Sequence, residues 1–393
     1  MTLKYANRMD QVKGLETREI IKFIGKSDII SFAGGLPAPE LFPLEELKEI
    51  SAKVLEECGS DALQYVPTDG YLPLREMIAE RMQKTGVKTS AENILIINGS
   101  QQGIDFSGKL FLNPGDVVIS EKPCYLGAIG AFRSYQAKFV DIPIDNDGIK
   151  VGELEKTLSQ TPKAKLIYVT PDFQNPTGIS WSVTRRKEFI EVVNKFHLPV
   201  IEDNPYGEIR FEGKNIPPIK AFDTEGNVVF LGTFSKILCP GFRIGWICAS
   251  RELVKKYTML KEVADLQCNT MAQREVALYL SEYDITININ KIRQVYKRRR
   301  DLMIQIIKEE FPPEAKYSVP EGGLFLWIEF PKHINGRELL EKTLQEKVAF
   351  VPGGCFYPNG GHENSIRLNF SNMPEEKIVV GMKRLAKIIH KEL

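Results

Sequence analysis

The stretch AKLIYVTPDFQNPTGISWSVTRRKEFIEVVNKFHLPVIEDNPY, residues 164–206, reads as strand, turn, helix and strand. AKLIYVT (164–170) and LPVIED (198–203) are short apolar runs rich in β-branched residues, and SVTRRKEFIEVVNKF (182–196) between them has helical spacing. The same alternation continues on both sides. Upstream lie ENILIIN (92–98), SQQGIDFSGKLFL (100–112), DVVISE (116–121), YLGAIGAFRSY (125–135) and KFVDIPI (138–144). Downstream lie NVVFLGTF (227–234) and RIGWICAS (243–250). Strands without polar alternation, separated by amphipathic helices, predict an α/β fold with a mostly parallel seven-stranded sheet between helices. Beyond about residue 285 the pattern changes to a long helix (289–310), GLFLWIEF (323–330), VAFVPG (348–353), SIRLNF (365–370) and a terminal helix, a smaller α+β unit. The expected division is 1–45 as an N-terminal segment packing with the small unit, 46–285 as the large domain and 286–393 as the small one.

Composition excludes several classes. A net charge of +1 gives no bulk attraction to nucleic acid or to a membrane surface. The run Lys297-Arg298-Arg299-Arg300 falls in a helical pattern and reads as a solvated helix face. Cys58, Cys124, Cys239, Cys248, Cys268 and Cys355 form no CxxC pair, and the four histidines fall in no metal or triad motif. The first residues, MTLKYANRMDQVKG, lack the apolar core of a signal peptide, and no apolar run is long enough to span a bilayer. A cytoplasmic, reduced protein is expected.

In open α/β sheets, ligands bind beyond the carboxyl ends of the strands. The residues that follow each strand here are Gly99-Ser100-Gln101-Gln102, Pro123-Cys124-Tyr125, Gln174-Asn175-Pro176-Thr177-Gly178, Asp203-Asn204-Pro205-Tyr206 and Thr233-Phe234-Ser235-Lys236. Taken singly, each is an ordinary cap, turn or surface charge. Together, in order, each at a strand end, they supply what pyridoxal 5′-phosphate (PLP) requires. Lys236 would condense with the cofactor aldehyde and Asp203 would face the ring nitrogen. Tyr206 and Asn175 would hydrogen-bond the ring oxygen, and Tyr125 would stack on the ring. Ser100 and Gln101 at a helix start, with Thr233, Ser235 and Arg243, would hold the phosphate.

On these stretches, with SFAGGLPAPELFP (31–43), LQYVPTDGYLPLRE, EDNPYGE, GTFSKILCPGFRIGW, EGGLFLWIE, FVPGGCFY and IRLNFS, the chain resembles fold-type I PLP enzymes. Within these it resembles the aminotransferase subgroup that contains 2-aminoadipate, kynurenine and archaeal aromatic aminotransferases. The resemblance runs from about residue 31 to 371. It implies that Arg367 grips the substrate α-carboxylate, and that Gly35 lies near that carboxylate or is a plain turn glycine. It implies that Tyr65 reaches the phosphate of a neighbouring subunit, so that the active unit is a homodimer. Arg18 matches an arginine that pairs with the distal carboxylate of acidic substrates, or is an ordinary helix-surface charge. Two departures stand out: Asn204 where Asp is frequent, and Cys124 where Thr or Ser is common.

The implied activity is transfer of an amino group from an L-amino acid to a 2-oxo acid such as 2-oxoglutarate, by a ping-pong cycle with Lys236 as proton shuttle. The donor side chain stays open between 2-aminoadipate or glutamate, aromatic and branched-chain amino acids. PLP-dependent carbon–sulfur β-lyases share the residue set and form a rival class. Transcription regulators that use this domain as a ligand sensor form another; they carry a DNA-binding domain ahead of it, and only about 30 residues precede SFAGG here.

Overall fold

A computed structural model describes residues 3–10, 12 and 28–393. β1 (Ile30–Ser31) stands apart from the main sheet. β2 (Ile94–Ile97), β3 (Val117–Lys122), β4 (Lys138–Asp145), β5 (Gly148–Ile149), β6 (Ala164–Val169), β7 (Val200–Asp203), β8 (Val228–Thr233) and β9 (Gly245–Cys248) form that sheet, in the order β2-β9-β8-β7-β6-β3-β4-β5. Neighbours from β8 through β4 run parallel, whereas β9 is antiparallel to both β8 and β2. The seven expected strands are all present. The eighth, β5, is a two-residue strand that turns back antiparallel on the end of β4, pairing Ile144 with Ile149. Two residues are too few to show a period. Its turn needs Gly148, whose φ is +96° and whose added Cβ would lie 2.1 Å from Trp181.

The uninterrupted apolar strands follow from burial on both faces. Along β6, Leu166 and Tyr168 point into one apolar cluster with Ile104, Phe132 and Tyr257, carried by the helices Ser100–Phe111, Leu126–Ser134 and Arg251–Ala264. Ile167 and Val169 point the other way, to Leu154, Trp181, Phe189 and Val193 around the helices Val151–Gln160 and Val183–Phe196. The latter helix starts where Ser182 Oγ accepts the Arg185 N–H at 3.1 Å, an N-cap.

The second sheet is antiparallel. β10 (Lys316–Tyr317), β11 (Phe325–Glu329), β13 (Val351–Pro352) and β14 (Ser365–Asn369) take the order β10-β11-β14-β13, while β12 (Val348–Ala349) pairs in parallel with β1. Helices Ile285–Glu310, Gly336–Gln345 and Glu375–Glu392 accompany them, and Ile30 and Phe32 share an apolar cluster with Ile378 and Met382 of the last helix.

The basic run on the long helix is solvated only in part. Lys297 reaches Asp301 at 2.7 Å and Arg298 is largely exposed, but Arg299 and Arg300 are only 3 % and 2 % exposed. Arg299 pairs with Glu40 and donates to Ser371 O, tying the Gly/Pro-rich 31–43 segment to the end of β14. Arg300 donates to Pro320 O at 2.6 Å, pairs with Glu212 at 2.6 Å and lies over the Phe211 ring. A guanidinium can be buried when carboxylate, carbonyl and aromatic partners replace its water. Among the described residues no helix is long and apolar enough to cross a membrane, and no group of His, Cys, Asp or Glu is placed to hold a metal ion.

Candidate active site

A cavity of about 1020 Å³ opens at the carboxyl ends of the parallel strands, between the two sheets. Ser100, Gln101, Tyr125, Asn175, Asp203, Tyr206, Thr233, Ser235, Lys236, Arg243, Gly35 and Arg367 all line it. Tyr65 does not; its side chain is 76 % exposed on the outer surface. Arg18 lies outside the described residues.

Each side chain arrives by a short local route. Asp203 is the last residue of β7, buried at 3 % exposure. Its Oδ2 accepts the Tyr168 hydroxyl at 2.7 Å, whereas its Oδ1 is buried and has no partner among the described residues. Burial raises its carboxyl to about 6, against the pull of the Tyr168 hydrogen bond. Lys236 sits on the turn directly after β8, and its Nζ donates to Gly35 O at 2.7 Å. Burial, then the Arg243 and Arg367 charges, lowers its amine to about 8. Arg367 comes from the middle of β14, with Nη1 on Asn175 Oδ1 at 2.7 Å and Nη2 on Ala33 O at 2.6 Å. Its guanidinium lies 4.1 Å from the Phe325 ring centroid, and its Nε is buried without a partner among the described residues. Burial lowers it to about 10.

Tyr125 stands ahead of the helix Leu126–Ser134 and donates to Gln101 Oε1 at 3.3 Å; burial pushes its phenol up to about 12. Burial also drives Tyr206 well upward, while a hydrogen bond with Asn175 opposes it. At the far end, the helix Ser100–Phe111 has glycine at its N-cap and no side-chain cap, which leaves first-turn N–H groups for an anion. Arg243 arches over this turn, donating to Asn98 O at 3.1 Å, and position 99 favours glycine because its φ is +75°. Thr233 Oγ1 and Ser235 Oγ, 2.8 Å apart, complete this polar corner.

The two sequence departures have structural reasons. Asn204 Nδ2 donates to Asp172 Oδ2 at 2.8 Å while its Oδ1 accepts the Gly207 N–H at 2.8 Å. Asp172 is already an acceptor for Arg186, so an amide donor suits position 204 better than a second carboxylate. Cys124 is buried, and burial raises its thiol far above the usual range, so it fills space as an inert thiol.

A profile of the family described as "Aminotransferase class I and II" matches residues 28–385. The chain belongs to that family. It is 44% identical to an aromatic-amino-acid aminotransferase of Thermococcus litoralis, over 97% of this chain and 93% of the relative. It is 39% identical to a 2-aminoadipate transaminase of Thermus thermophilus, over 96% and 94%. Among solved structures it superposes on a Pyrococcus horikoshii kynurenine aminotransferase, in complex with PMP, with a TM-score of 0.95 and 41% identity over 99% of this chain and 97% of the other. The protein is thus a PLP-dependent aminotransferase of fold-type I, and a lyase is not favoured.

The aminotransferase cavity fits PLP on its own chemistry. A buried acceptor without a partner, Asp203 Oδ1, suits a protonated ring nitrogen; a lysine amine with lowered basicity stands in the same cavity; an uncapped helix start with an arginine beside it suits a phosphate. Sequence reasoning missed Tyr168, Ala33 and Phe325. Tyr168 sits inside an apolar strand, and the other two act through a backbone carbonyl and a ring face, none of which has a motif.

Proposed function

We propose that the chain transfers the amino group of an L-amino acid with a large side chain, aromatic, branched or of the 2-aminoadipate type, to 2-oxoglutarate in a ping-pong cycle. The observation that carries this reading is the shared cavity of Lys236 Nζ, the unpartnered Asp203 Oδ1 and the Arg367 guanidinium. The names of the relatives and the apolar lining by Leu36, Leu126, Phe325 and Val351 support the choice of donor.

When bound, PLP supplies an electron sink for the charge that develops at the substrate α-carbon. Ser100, Gln101, Thr233, Ser235 and Arg243 hold its phosphate, and Tyr125 covers the ring. Asp203 keeps a proton on the ring nitrogen through Oδ1, held in place by Tyr168. Asn175 and Tyr206 bond the ring oxygen. Arg367 gives up its carbonyl and amide partners, Ala33 O and Asn175 Oδ1, in part, to bind the α-carboxylate by a fork of N–H groups. Lys236 would anchor the cofactor and, when free, would hold the α-carbon proton on Nζ; an amine brought down to about 8 is suited to taking up and giving up that proton. Leaving Gly35 O lets Nζ swing between these positions.

The active unit in this reading is a homodimer, with the exposed Tyr65 reaching the partner's phosphate site, and the enzyme works in the cytoplasm. The N-terminal 1–45 segment is proposed to pack with the 286–393 unit beside the 46–285 domain; the Arg299–Glu40 pair and the β1–β12 pairing support this. The deciding experiment is an amino-donor panel with 2-oxoglutarate. Glutamate formation from at least one of these donors is the expected result. Ammonia and pyruvate from a cysteine conjugate, with no glutamate formed from any donor, would overturn it.

A further inference from the structure

Beneath the turn that opens the helix Ser100–Phe111 lies a polar cluster that none of these roles uses. Lys261 has no exposure at all. Its Nζ donates to Asp265 Oδ1 at 2.8 Å, to Asp265 Oδ2 at 3.0 Å and to Gln102 Oε1 at 3.2 Å. Asp265 Oδ2 also accepts from Asn98 Nδ2 at 2.6 Å and from Gln102 Nε2 at 2.7 Å. Gln102 Oε1 in turn accepts the Asn98 backbone N–H at 2.9 Å. Asn98 and Gln102 flank Gly99-Ser100-Gln101, and Asn98 O is the acceptor for Arg243 Nη2. One carboxylate therefore grips both ends of the turn from below.

We propose that Asp265 is a positioning residue for the cofactor phosphate: charged against Lys261, it clamps Asn98 and Gln102 so that the helix-start N–H groups and Arg243 converge on one anion. The inference rests on the reading that Ser100 and its neighbours hold that phosphate. A buried ion pair adds little to stability over an apolar pair of the same shape. What it does supply is direction, because a carboxylate accepting several short hydrogen bonds fixes each donor in place. The turn has particular need of this, since its own helix start carries no side-chain cap. The same loop continues to Gln267, whose Oε1 accepts the Val66 N–H at 2.5 Å beside Tyr65, so the support under the phosphate turn also holds the loop that presents Tyr65.

Asp265→Ala alone strands the Lys261 charge in the interior and is expected to weaken the fold, so the deciding variant is the apolar double Lys261→Met with Asp265→Leu. Full-length protein is freed of cofactor and reloaded with PLP or with pyridoxal, which lacks the phosphate, and both affinities are read from visible absorbance. The double variant is expected to bind PLP about tenfold more weakly, while pyridoxal binding changes by less than about twofold. Ser100→Ala, measured beside it, is expected to lose PLP preference as well. If Ser100→Ala loses the preference and the double variant keeps it, Asp265 has no positioning role. Equal weakening of PLP and pyridoxal in the double variant reduces Asp265 to a structural residue and overturns the proposal. If Ser100→Ala also keeps full preference, the phosphate site itself is misplaced and the proposal falls with it.

Discussion

Glu202 and Asp203 are neighbours at the end of β7, and both are buried, yet their oxygens meet different fates. Strand geometry points them to opposite faces of the sheet. Glu202 is fully used by the chain: Oε1 accepts the Ile219 N–H at 2.7 Å and Oε2 the Lys220 N–H at 2.8 Å. Asp203, which lines the cavity, spends one oxygen on Tyr168 and leaves the other without a partner among the described residues. Burial raises both, Glu202 to about 7 and Asp203 to about 6. A shifted pKa therefore does not separate the carboxylate proposed to serve the reaction from the one that fastens a loop. An unpartnered oxygen on a residue that lines the cavity does, because a ligand there can satisfy it.

The cavity side of this comparison should yield the largest effects. Lys236→Ala removes the proposed proton shuttle and covalent anchor, leaving the proposed phosphate and ring contacts. Turnover is expected to fall by roughly 10⁴-fold while the protein still retains PLP after gel filtration. Near-normal turnover would remove Lys236 from the reaction. Asp203→Ala ranks next. It takes away the proposed acceptor for the ring nitrogen without touching the proposed anchor or phosphate contacts, so kcat should drop on the order of 10²–10³-fold with the far-UV circular dichroism unchanged. A kcat close to wild type would place Asp203 with Glu202 among the structural carboxylates, and the contrast between the two would vanish.

The contrast also marks what a sequence can show. Lys236, Asp203, Asn175 and Ser100 each stand one step past an apolar strand, and a parallel sheet brings strand ends together whatever lies between them. That made most of the cavity legible, along with the seven main strands. The contacts made by the SFAGGLP segment were not. Gly35 O meets Lys236 across 201 residues, and Ala33 O meets Arg367 across 334. A carbonyl partner leaves no trace in residue identity. Arg299 and Arg300 misread for a related reason: a run of cations looks solvated until Glu40, Glu212, Ser371 and Pro320 arrive from remote parts of the chain. The Lys261–Asp265 cluster under the phosphate turn was likewise silent, since an i,i+4 charge pair reads as an ordinary exposed helix pair.

The smallest effect on turnover, and the sharpest check on the contrast, belongs to Glu202→Gln. The amide keeps shape and burial but turns one acceptor into a donor facing a backbone N–H. A loss of about 1–3 kcal/mol in stability is expected, with kcat within a few-fold of wild type. Its pH dependence can be worked out. In the folded chain Glu202 holds its proton up to about 7, whereas the unfolded chain releases it near the usual 4.5. Between those values the folded state binds more protons, so this group makes stability fall as pH rises from about 4.5 to about 7, with no further change above. Denaturant unfolding across that window should therefore show a shallower decline in Glu202→Gln than in wild type. The decline should not vanish, because buried Glu121, also raised to about 7, titrates in the same range. An unchanged slope would mean that Glu202 stays ionised in the fold. A fall in kcat to match Asp203→Ala would mean that both faces of β7 serve the reaction, and that an unpartnered oxygen is the wrong guide to which carboxylate does the chemistry.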